Sequence, residues 1–187
     1  MHLDEMKYAV IDGQGSPSNP AYTDVIGTLH AFSYTLKMLP KKGIVPEGYF
    51  DYSIFPLEGF WHSEDGGNIR EGLNKDKFVY RMMIRQPDFL SAELFQKILK
   101  MITKKVDSEM IKRLKIETIT EGHCVQMMHI GPYNKEYETF DIMDSYCEAN
   151  GLERVNNVHK EIYLSDSRRI APEKLRTALR YQVKDSE

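Results

Sequence analysis

The sequence predicts an α+β fold in which two tandem β-α-β-β units form a mostly antiparallel sheet, with helices on one face. Two observations predict it. Strand-like and helix-like segments follow one another in the same order in both halves of the chain, about 1–88 and 107–187, and a helix joins the halves. The length of 187 residues suits a single domain spanning residues 1–187.

The first half contains three predicted strands around one helix. The strands are segments rich in aromatic and β-branched residues, at 6–12, 49–57 and 77–85. Asn19 followed by Pro20 is a typical helix start, and apolar residues then recur at helical spacing as far as Leu36. The polar stretch 62–76, which contains three glycines, predicts a loop.

The second half repeats this order after a linking helix at about 91–105, which Ser91 caps. Its predicted strands cover 114–119, 123–130, 157–164 and 175–183. Gly131 and Pro132 break the chain before a helix at about 135–149. The helical spacing points four side chains of this helix inward: Tyr137, Phe140, Met143 and Cys147.

Composition and charge limit the kinds of partner and the cellular compartment that we expect for this protein. The net charge of −3 argues against a general nucleic-acid binder, because such proteins are usually basic. The chain has no N-terminal apolar run with basic flanks and no apolar stretch long enough to span a membrane, so we expect a cytoplasmic protein without a membrane partner. Cys124 and Cys147 are expected to be reduced core thiols, although one buried disulfide is also compatible with the sequence.

No motif indicates a metal or a cofactor. His123 and His129 lie close to Cys124, but the period of a strand places Cys124 on the opposite face, and the spacing is not that of a zinc site. Gly13-Gln-Gly15 lacks the third glycine of a dinucleotide fingerprint. No serine lies in a nucleophile-elbow pattern. We therefore expect no metal and no cofactor.

Three passages carry a resemblance to a known family. They read Phe-Pro-Leu-Glu-Gly-Phe-Trp at 55–61, His-Ile-Gly-Pro-Tyr at 129–133, and Lys-Glu-Ile-Tyr-Leu-Ser-Asp at 160–166, the last followed by Ala-Pro-Glu-Lys-Leu at 171–175. With these passages the chain resembles the GyrI-like small-molecule-binding family over nearly its whole length. The third passage is the most specific.

The resemblance implies two β-α-β-β units with a ligand pocket between them and an acidic residue on a strand. Relatives include ligand-sensing domains of multidrug-responsive transcription regulators, which carry a separate DNA-binding segment. Nothing before residue 6 supplies such a segment, so we expect the stand-alone form. Some stand-alone members, the cyclopropanoid cyclopropyl hydrolases, open cyclopropane-bearing DNA-alkylating natural products in an aromatic cage.

Glu161 is the candidate acidic residue. The period of a strand places His159, Glu161 and Tyr163 on one face. If Ile162 and Leu164 face the helices, Glu161 and Tyr163 face the pocket. A carboxylate in an apolar cleft has a raised pKa and can serve as the counter-ion of a cationic drug or as a base toward water. The alternative is a surface glutamate paired with a neighbouring lysine or arginine.

Aromatic residues are the candidate walls of the cage. Trp61 offers a broad face for a flat or cationic ligand, although a single tryptophan also suits a core or a rim. Tyr133 follows a Gly-Pro turn, where its hydroxyl can polarise a ligand carbonyl or its ring can pack over the turn. Tyr80 and Tyr163 are further cage candidates, with packing against the sheet as the alternative.

Two functions fit this pocket. In the first, the protein sequesters flat hydrophobic or cationic xenobiotics and performs no chemistry. In the second, which we favour, it protects the cell by hydrolysing activated cyclopropanes, with Glu161 activating water and Tyr133 stabilising the developing oxyanion. Trp61 and the tyrosines then align the drug. Glu58 is the next candidate for the base, and the oligomeric state is left open by the sequence.

Overall fold

The computed structural model describes residues 1–64 and 74–186. In these residues the strands are β1 His2–Gln14, β2 Leu57–Ser63, β3 Phe78–Arg85, β4 Lys115–Ile130, β5 Leu152–Arg154, β6 His159–Tyr163 and β7 Arg176–Asp185. The α-helices are α1 Pro20–Lys37, α2 Ala92–Ile102, α3 Ser108–Arg113 and α4 Glu136–Ala149. None of the helices in the described residues is long and apolar enough to cross a bilayer.

The strands form one antiparallel sheet that closes on itself. Its order is β4-β1-β3-β2-β6-β7, and the second part of β4 pairs with β7, so these strands complete a barrel. The short β5 pairs with β7 beside this ring. The expectation of a mostly antiparallel sheet is confirmed, whereas its closure was not predicted. The description of the chain as two tandem units stays a prediction.

Both long helices cover the same face of the sheet. Directly paired residues of neighbouring strands share a face, and one such row crosses five strands through Ile11, Met82, Gly59, Glu161 and Leu179. Apolar residues of α1 pack at the Ile11 end of this row, and apolar residues of α4 pack at the Leu179 end. Because the helices lie outside the closed barrel, the other face is the barrel interior.

The barrel interior contains a buried group of charges. The Lys160 side chain is fully buried, and its Nζ lies 2.6 Å from Glu58 Oε2 and 2.6 Å from Glu121 Oε1. Lys160 Nζ also donates to Tyr8 Oη at 3.1 Å, and Arg180 Nη1 donates to Glu121 at 2.7 Å. We call these five residues the interior ion cluster. Because Lys160 points inward, the alternation of β6 points its neighbour Glu161 outward, toward the helices.

β4 is one long strand where the sequence predicted two, at 114–119 and 123–130. It pairs with β1 as far as His123 and with β7 from Cys124 onward. Gly122, just before this exchange of partners, has a φ of 63°. A glycine adopts this left-handed conformation at little cost, so the strand bends there without ending.

The strand predicted at 49–57 is wrong. Its residues form no regular structure before β2 begins at Leu57. Three of its rings instead pack on Phe89, with centroids 5.3, 5.8 and 6.1 Å away: Tyr49, Phe50 and Tyr52. The predicted loop 62–76 begins too early, because β2 continues to Ser63. Residues 65–73 of that loop lie outside the described part of the chain.

The helix starts follow the sequence closely. The Asn19 side chain accepts a hydrogen bond from the Ala21 amide at 3.1 Å, and the Ser91 side chain accepts one from Leu94 at 3.2 Å. The linking helix is shorter than predicted, and the sequence reading missed α3, which follows it. The predicted strands at 6–12, 77–85, 157–164 and 175–183 are confirmed as β1, β3, β6 and β7. Both cysteines are free and buried, as expected.

Candidate functional site

Glu161 lies on the face of the sheet that α1 and α4 cover. Its neighbours on this face of β6, His159 and Tyr163, contact rings that belong to or directly precede α4. The condition considered from the sequence, that Ile162 and Leu164 face the helices, is therefore not met. Alternation decides the outcome, because Lys160 occupies the barrel interior. The candidate site lies between the helices and the outer face of the barrel.

Aromatic side chains from separate parts of the chain surround this carboxylate. Trp61 Nε1 of β2 donates to Tyr163 Oη of β6 at 2.9 Å. The ring of Tyr133 meets that of Tyr163 edge-on, with centroids 6.0 Å apart. The ring centroid of Tyr22, from α1, lies 5.8 Å from that of Trp61. We call Tyr22, Trp61, Tyr133 and Tyr163 the aromatic cage.

Tyr80 packs on the core side of the cage. Its ring lies 5.2 Å from Trp61 and 5.2 Å from Tyr22, and only 3% of its surface is exposed. It therefore supports these two rings from the core. Trp61 is 6% exposed, whereas Tyr133 is 38% exposed. Trp61 is therefore a buried member of this group, and Tyr133 is its exposed member.

The Glu161 carboxyl group lies within hydrogen-bond distance of His159. His159 Nε2 is 3.1 Å from Glu161 Oε1. The Glu161 side chain is 13% exposed. Phe140 of α4 packs edge-on against the His159 ring at 4.9 Å and holds it beside the carboxylate. The carboxylate is thus fixed in position and still reachable from outside.

Glu136, the first residue of α4, is a second buried carboxyl group in the site. It is 3% exposed. Burial and then the nearby charge of Glu161 raise the pKa of Glu136 to about 10, which favours its protonated form at neutral pH.

Glu136 is not among the predicted site residues, because the helical spacing predicted Tyr137 on the inner face of this helix. Glu136 is buried and Tyr137 is only half-buried. A signal was available, since Glu136, Phe140, Met143 and Cys147 form one stripe at helical spacing. A glutamate in an otherwise apolar stripe indicates a buried acid.

The tyrosines of the cage remain protonated at neutral pH. Burial, then the charge of Glu161, raises the pKa of both Tyr22 and Tyr163. Burial also raises the pKa of Tyr133. These phenols therefore keep their protons and can donate hydrogen bonds.

Glu58, the alternative base, does not lie in this site. It alternates with Gly59 on β2 and points into the barrel, where it faces Lys160 at 2.6 Å. Sequence alone does not show that Glu58 and Glu161 lie on opposite faces of the sheet. The structure brings Glu161, Trp61, Tyr133 and Tyr163 together, places Tyr80 behind them and excludes Glu58.

The chain matches a known protein family over nearly its whole length. The model of the GyrI-like small molecule binding domain family matches residues 1–184. The structure of a hydrolase from Listeria innocua is similar with a TM-score of 0.89 at 34% identity, covering 98% of this chain and 90% of that one. A conserved protein from the same organism gives a TM-score of 0.89 at 36% identity, with the same coverage.

More distant structures share the fold alone. The C-terminal domain of EcmrR has a TM-score of 0.55 at 12% identity, covering 99% of this chain and 95% of that one. No curated protein sequence gives a significant match.

Proposed function

Because the chain belongs to the GyrI-like small molecule binding domain family, we propose that it binds flat hydrophobic or cationic xenobiotics in the aromatic cage and hydrolyses those that carry an activated cyclopropane. One observation carries the proposal: a partly accessible carboxylate, Glu161, fixed among four aromatic rings. The chemistry removes DNA-alkylating agents and so protects the cell.

Ligand binding follows from the aromatic and acidic side chains of the cage. Aromatic faces stack on flat ligands and attract cations, most strongly where water is excluded. Glu161 supplies one negative charge at the bottom of the cage as a counter-ion. A flat ligand enters past Tyr133, the exposed member of the cage, and reaches Trp61.

Hydrolysis needs a base and an oxyanion donor, and both residue types are present. Water attacks the methylene carbon of the cyclopropane and gives its proton to Glu161. The new bond is C–O, and the ring C–C bond that breaks sends its electron pair to the conjugated carbonyl oxygen. Tyr133 donates a hydrogen bond to that oxygen, which then takes up the proton through solvent. The product is the substrate plus one water.

Two observations favour chemistry over sequestration alone. Similar structures at 34% identity are described as hydrolases. In addition, the protonated Glu136 beside Glu161 gives the site an acid next to a base. Pairs of titratable groups held in different protonation states are typical of catalytic sites.

Glu161→Gln tests the proposal, because it keeps the shape of the side chain and removes the charge. Turnover of a cyclopropane-fused dienone, followed by mass spectrometry as a gain of one water, should fall about 10²-fold or more. Binding of a neutral flat ligand should change little, and binding of a cationic one should weaken. Glu138→Gln, at an exposed position of α4, is the matched control and should keep wild-type turnover.

Two results would change the proposed function. Full turnover in Glu161→Gln would remove this residue from the chemistry. Absence of turnover in the wild-type protein, with binding retained, would leave sequestration as the function.

A further inference from the structure

His129 is a buried histidine that the proposed mechanism does not use. It lies on β4, and only 4% of its surface is exposed. His129 pairs directly with Thr177 of β7, and Thr177 pairs directly with Tyr163 of β6. Directly paired residues share a face of a sheet, so His129 lies on the outer face of the barrel, two strands or about 10 Å from Tyr163. The histidine is therefore a neighbour of the aromatic cage without belonging to it.

Both ring nitrogens of His129 contact the segment that carries Tyr133. Nε2 lies 3.2 Å from the carbonyl oxygen of Pro132, and Nδ1 lies 2.8 Å from the hydroxyl oxygen of Thr139 in α4. A carbonyl oxygen only accepts hydrogen bonds, so Nε2 carries a proton in this arrangement. The Thr139 hydroxyl can donate to Nδ1 or accept from it, so both contacts form whether the ring is neutral or charged. The ring is thus bonded to the chain on both sides of Tyr133.

The backbone before Tyr133 packs against this ring. We call Gly131, Pro132 and Tyr133 the Tyr133 turn. Gly131 has a φ of 144°, and a Cβ atom at this position would lie 3.4 Å from His129 Nε2. Glycine permits both the conformation and the close approach. The Gly131 amide also donates to the carbonyl oxygen of Leu175 at 3.0 Å. Hydrogen bonds to β4 and to the residue before β7 therefore hold the Tyr133 turn in place.

The side chain of Tyr133 is less firmly packed than the turn that carries it. It is 38% exposed, and its ring meets that of Tyr163 edge-on with centroids 6.0 Å apart. The direction of its hydroxyl therefore depends strongly on the backbone of the Tyr133 turn. A donor to a developing oxyanion must be placed accurately, since a displacement of about 1 Å can lower a rate about 10²-fold.

We propose that His129 is the positioning residue of Tyr133: its two hydrogen bonds fix the Tyr133 turn so that the phenol hydroxyl meets the carbonyl oxygen of the substrate. This inference rests on the proposed function, because Tyr133 is the oxyanion donor of that reaction. It assigns a role to a buried residue outside the cage and makes Thr139 of α4 part of the same arrangement.

His129→Gln and His129→Asn separate the two ring nitrogens. The amide nitrogen of glutamine reaches the position of Nε2 and can donate to Pro132, whereas the shorter asparagine reaches only the position of Nδ1. With the cyclopropane-fused dienone as substrate, His129→Asn should lower kcat about tenfold to 10²-fold, part of the effect of losing one oxyanion donor. KM should change less than about twofold, because Tyr133 acts on charge that develops in the transition state. His129→Gln should keep kcat within about threefold of the wild-type value.

A Tyr133→Phe background tests whether His129 acts through Tyr133. Because the phenol hydroxyl is absent there, adding His129→Asn should lower kcat by less than about twofold further. A residue that only supports the fold would lower kcat by the same factor in both backgrounds. Urea unfolding of each variant checks that the protein is folded.

Thr139→Val replaces His129→Asn if the latter folds poorly. Valine keeps the shape of threonine and removes the hydroxyl that pairs with Nδ1. This variant should lower kcat about threefold to tenfold when Tyr133 is present, and by less than about twofold in the Tyr133→Phe background.

A neutral probe reports the position of the hydroxyl without turnover. 9-Fluorenone is flat and carries one carbonyl group, whose infrared stretching frequency falls when it accepts a hydrogen bond. Bound fluorenone should show a lower carbonyl frequency in the wild type than in Tyr133→Phe. His129→Asn should move the frequency toward that of Tyr133→Phe, and His129→Gln should retain the wild-type frequency.

The outcomes separate this inference from the proposed function. Wild-type kcat and carbonyl frequency in His129→Asn, or an equal loss of kcat with and without the Tyr133 hydroxyl, would overturn the inference alone. If the wild type binds fluorenone without turning over the substrate, hydrolysis is wrong and the carbonyl frequencies decide: equal values in the wild type and His129→Asn overturn the inference. If fluorenone does not bind and no substrate is turned over, the proposed function is wrong, and this inference falls with it.

Discussion

Trp61 owes its position to the glycine two residues before it. A Cβ atom at Gly59 would lie 2.7 Å from Trp61 Nε1 and 2.7 Å from Met82 Sδ, which is too close for either atom. Because Gly59 pairs directly with Glu161, the missing side chain also leaves the indole free to lie beside the carboxylate. The Gly-Phe-Trp sequence is thus a local requirement of the cage.

We expect flat aromatic ligands to quench the fluorescence of Trp61, the single tryptophan of the chain. The ligand is predicted to stack within the cage that the indole lines. The measurement is a fluorescence titration with a neutral flat ligand, and Glu161→Gln should show the same quenching. Unchanged emission at a concentration where the ligand's own anisotropy reports binding would place Trp61 outside the ligand site.

The protonated Glu136 should make the protein less stable as pH rises. Its pKa in the folded protein is raised to about 10, whereas an unfolded glutamate ionises near pH 4.5. Between these values the folded state holds one proton more than the unfolded state, so the free energy of unfolding falls with rising pH. This contribution is present in full below pH 4.5 and decreases by up to about 1.4 kcal/mol per pH unit above it.

Urea unfolding at pH 5, 7 and 9 measures this effect. Glu136→Gln should flatten the pH dependence and gain stability relative to the wild type at pH 9. Glu138→Gln, in the same turn of α4 and exposed, should keep the wild-type slope. Equal slopes for the wild type and Glu136→Gln would mean that Glu136 is ionised in the folded protein.

At the scale of elements, β4 pairs with a different strand on each side of one glycine. Gly122, at a φ of 63°, lies where β4 leaves β1 for β7. Gly122→Ala should destabilise the protein by about 1–2 kcal/mol, because an L-residue is strained in this conformation. Gly27→Ala in α1 is the matched control, since its Cβ meets open space, and it should stabilise by about 0.5–1 kcal/mol.

Thermal or urea unfolding of both variants makes the comparison. A Gly122→Ala protein as stable as the wild type would show that the bend does not depend on the left-handed conformation.

The elements that sequence predicted well have signals within a few residues. Asn19 and Ser91 cap helices through their own side chains, and 77–85 is a mainly apolar and aromatic run with three basic residues. The segment 49–57 was wrongly predicted as a strand because its aromatic residues pack on Phe89, which is distant in sequence. No local sequence pattern distinguishes such packing from a strand. Tertiary contacts decide such cases.

The site was predicted in part for the same reason. Alternation correctly grouped Glu161 with Tyr163, but it could not say which face meets the helices. That depends on Lys160, whose burial is possible only because Glu58 and Glu121 converge on it from β2 and β4. Charged residues that are buried by distant partners cannot be recognised from spacing alone.

At the scale of the whole molecule, the interior ion cluster joins five strands of the barrel. Lys160→Met would leave Glu58 buried without its cation and Glu121 with Arg180 alone. We expect a loss of about 3–5 kcal/mol in the free energy of unfolding, because removing one partner of a buried ion pair leaves an uncompensated charge. Chemical denaturation measures it.

The surface pair Lys112–Glu109 is the natural control. Its atoms also lie 2.6 Å apart, but both side chains are about 70% exposed, at 69% and 72%. Lys112→Met should cost no more than about 1 kcal/mol. Similar losses in the two variants would contradict a structural role for the interior ion cluster.

The closed ring of strands also affects how this protein can associate with other chains. Within the described residues, each strand of the ring pairs with a neighbour on both sides over part of its length, so many of its amide and carbonyl groups are already used. β5 lies beside the ring and is a three-residue strand whose Glu153 and Arg154 carry charge. Short, charged edges resist pairing with a strand from another molecule. Fibril-like association and capture of extended peptides through β5 are therefore disfavoured.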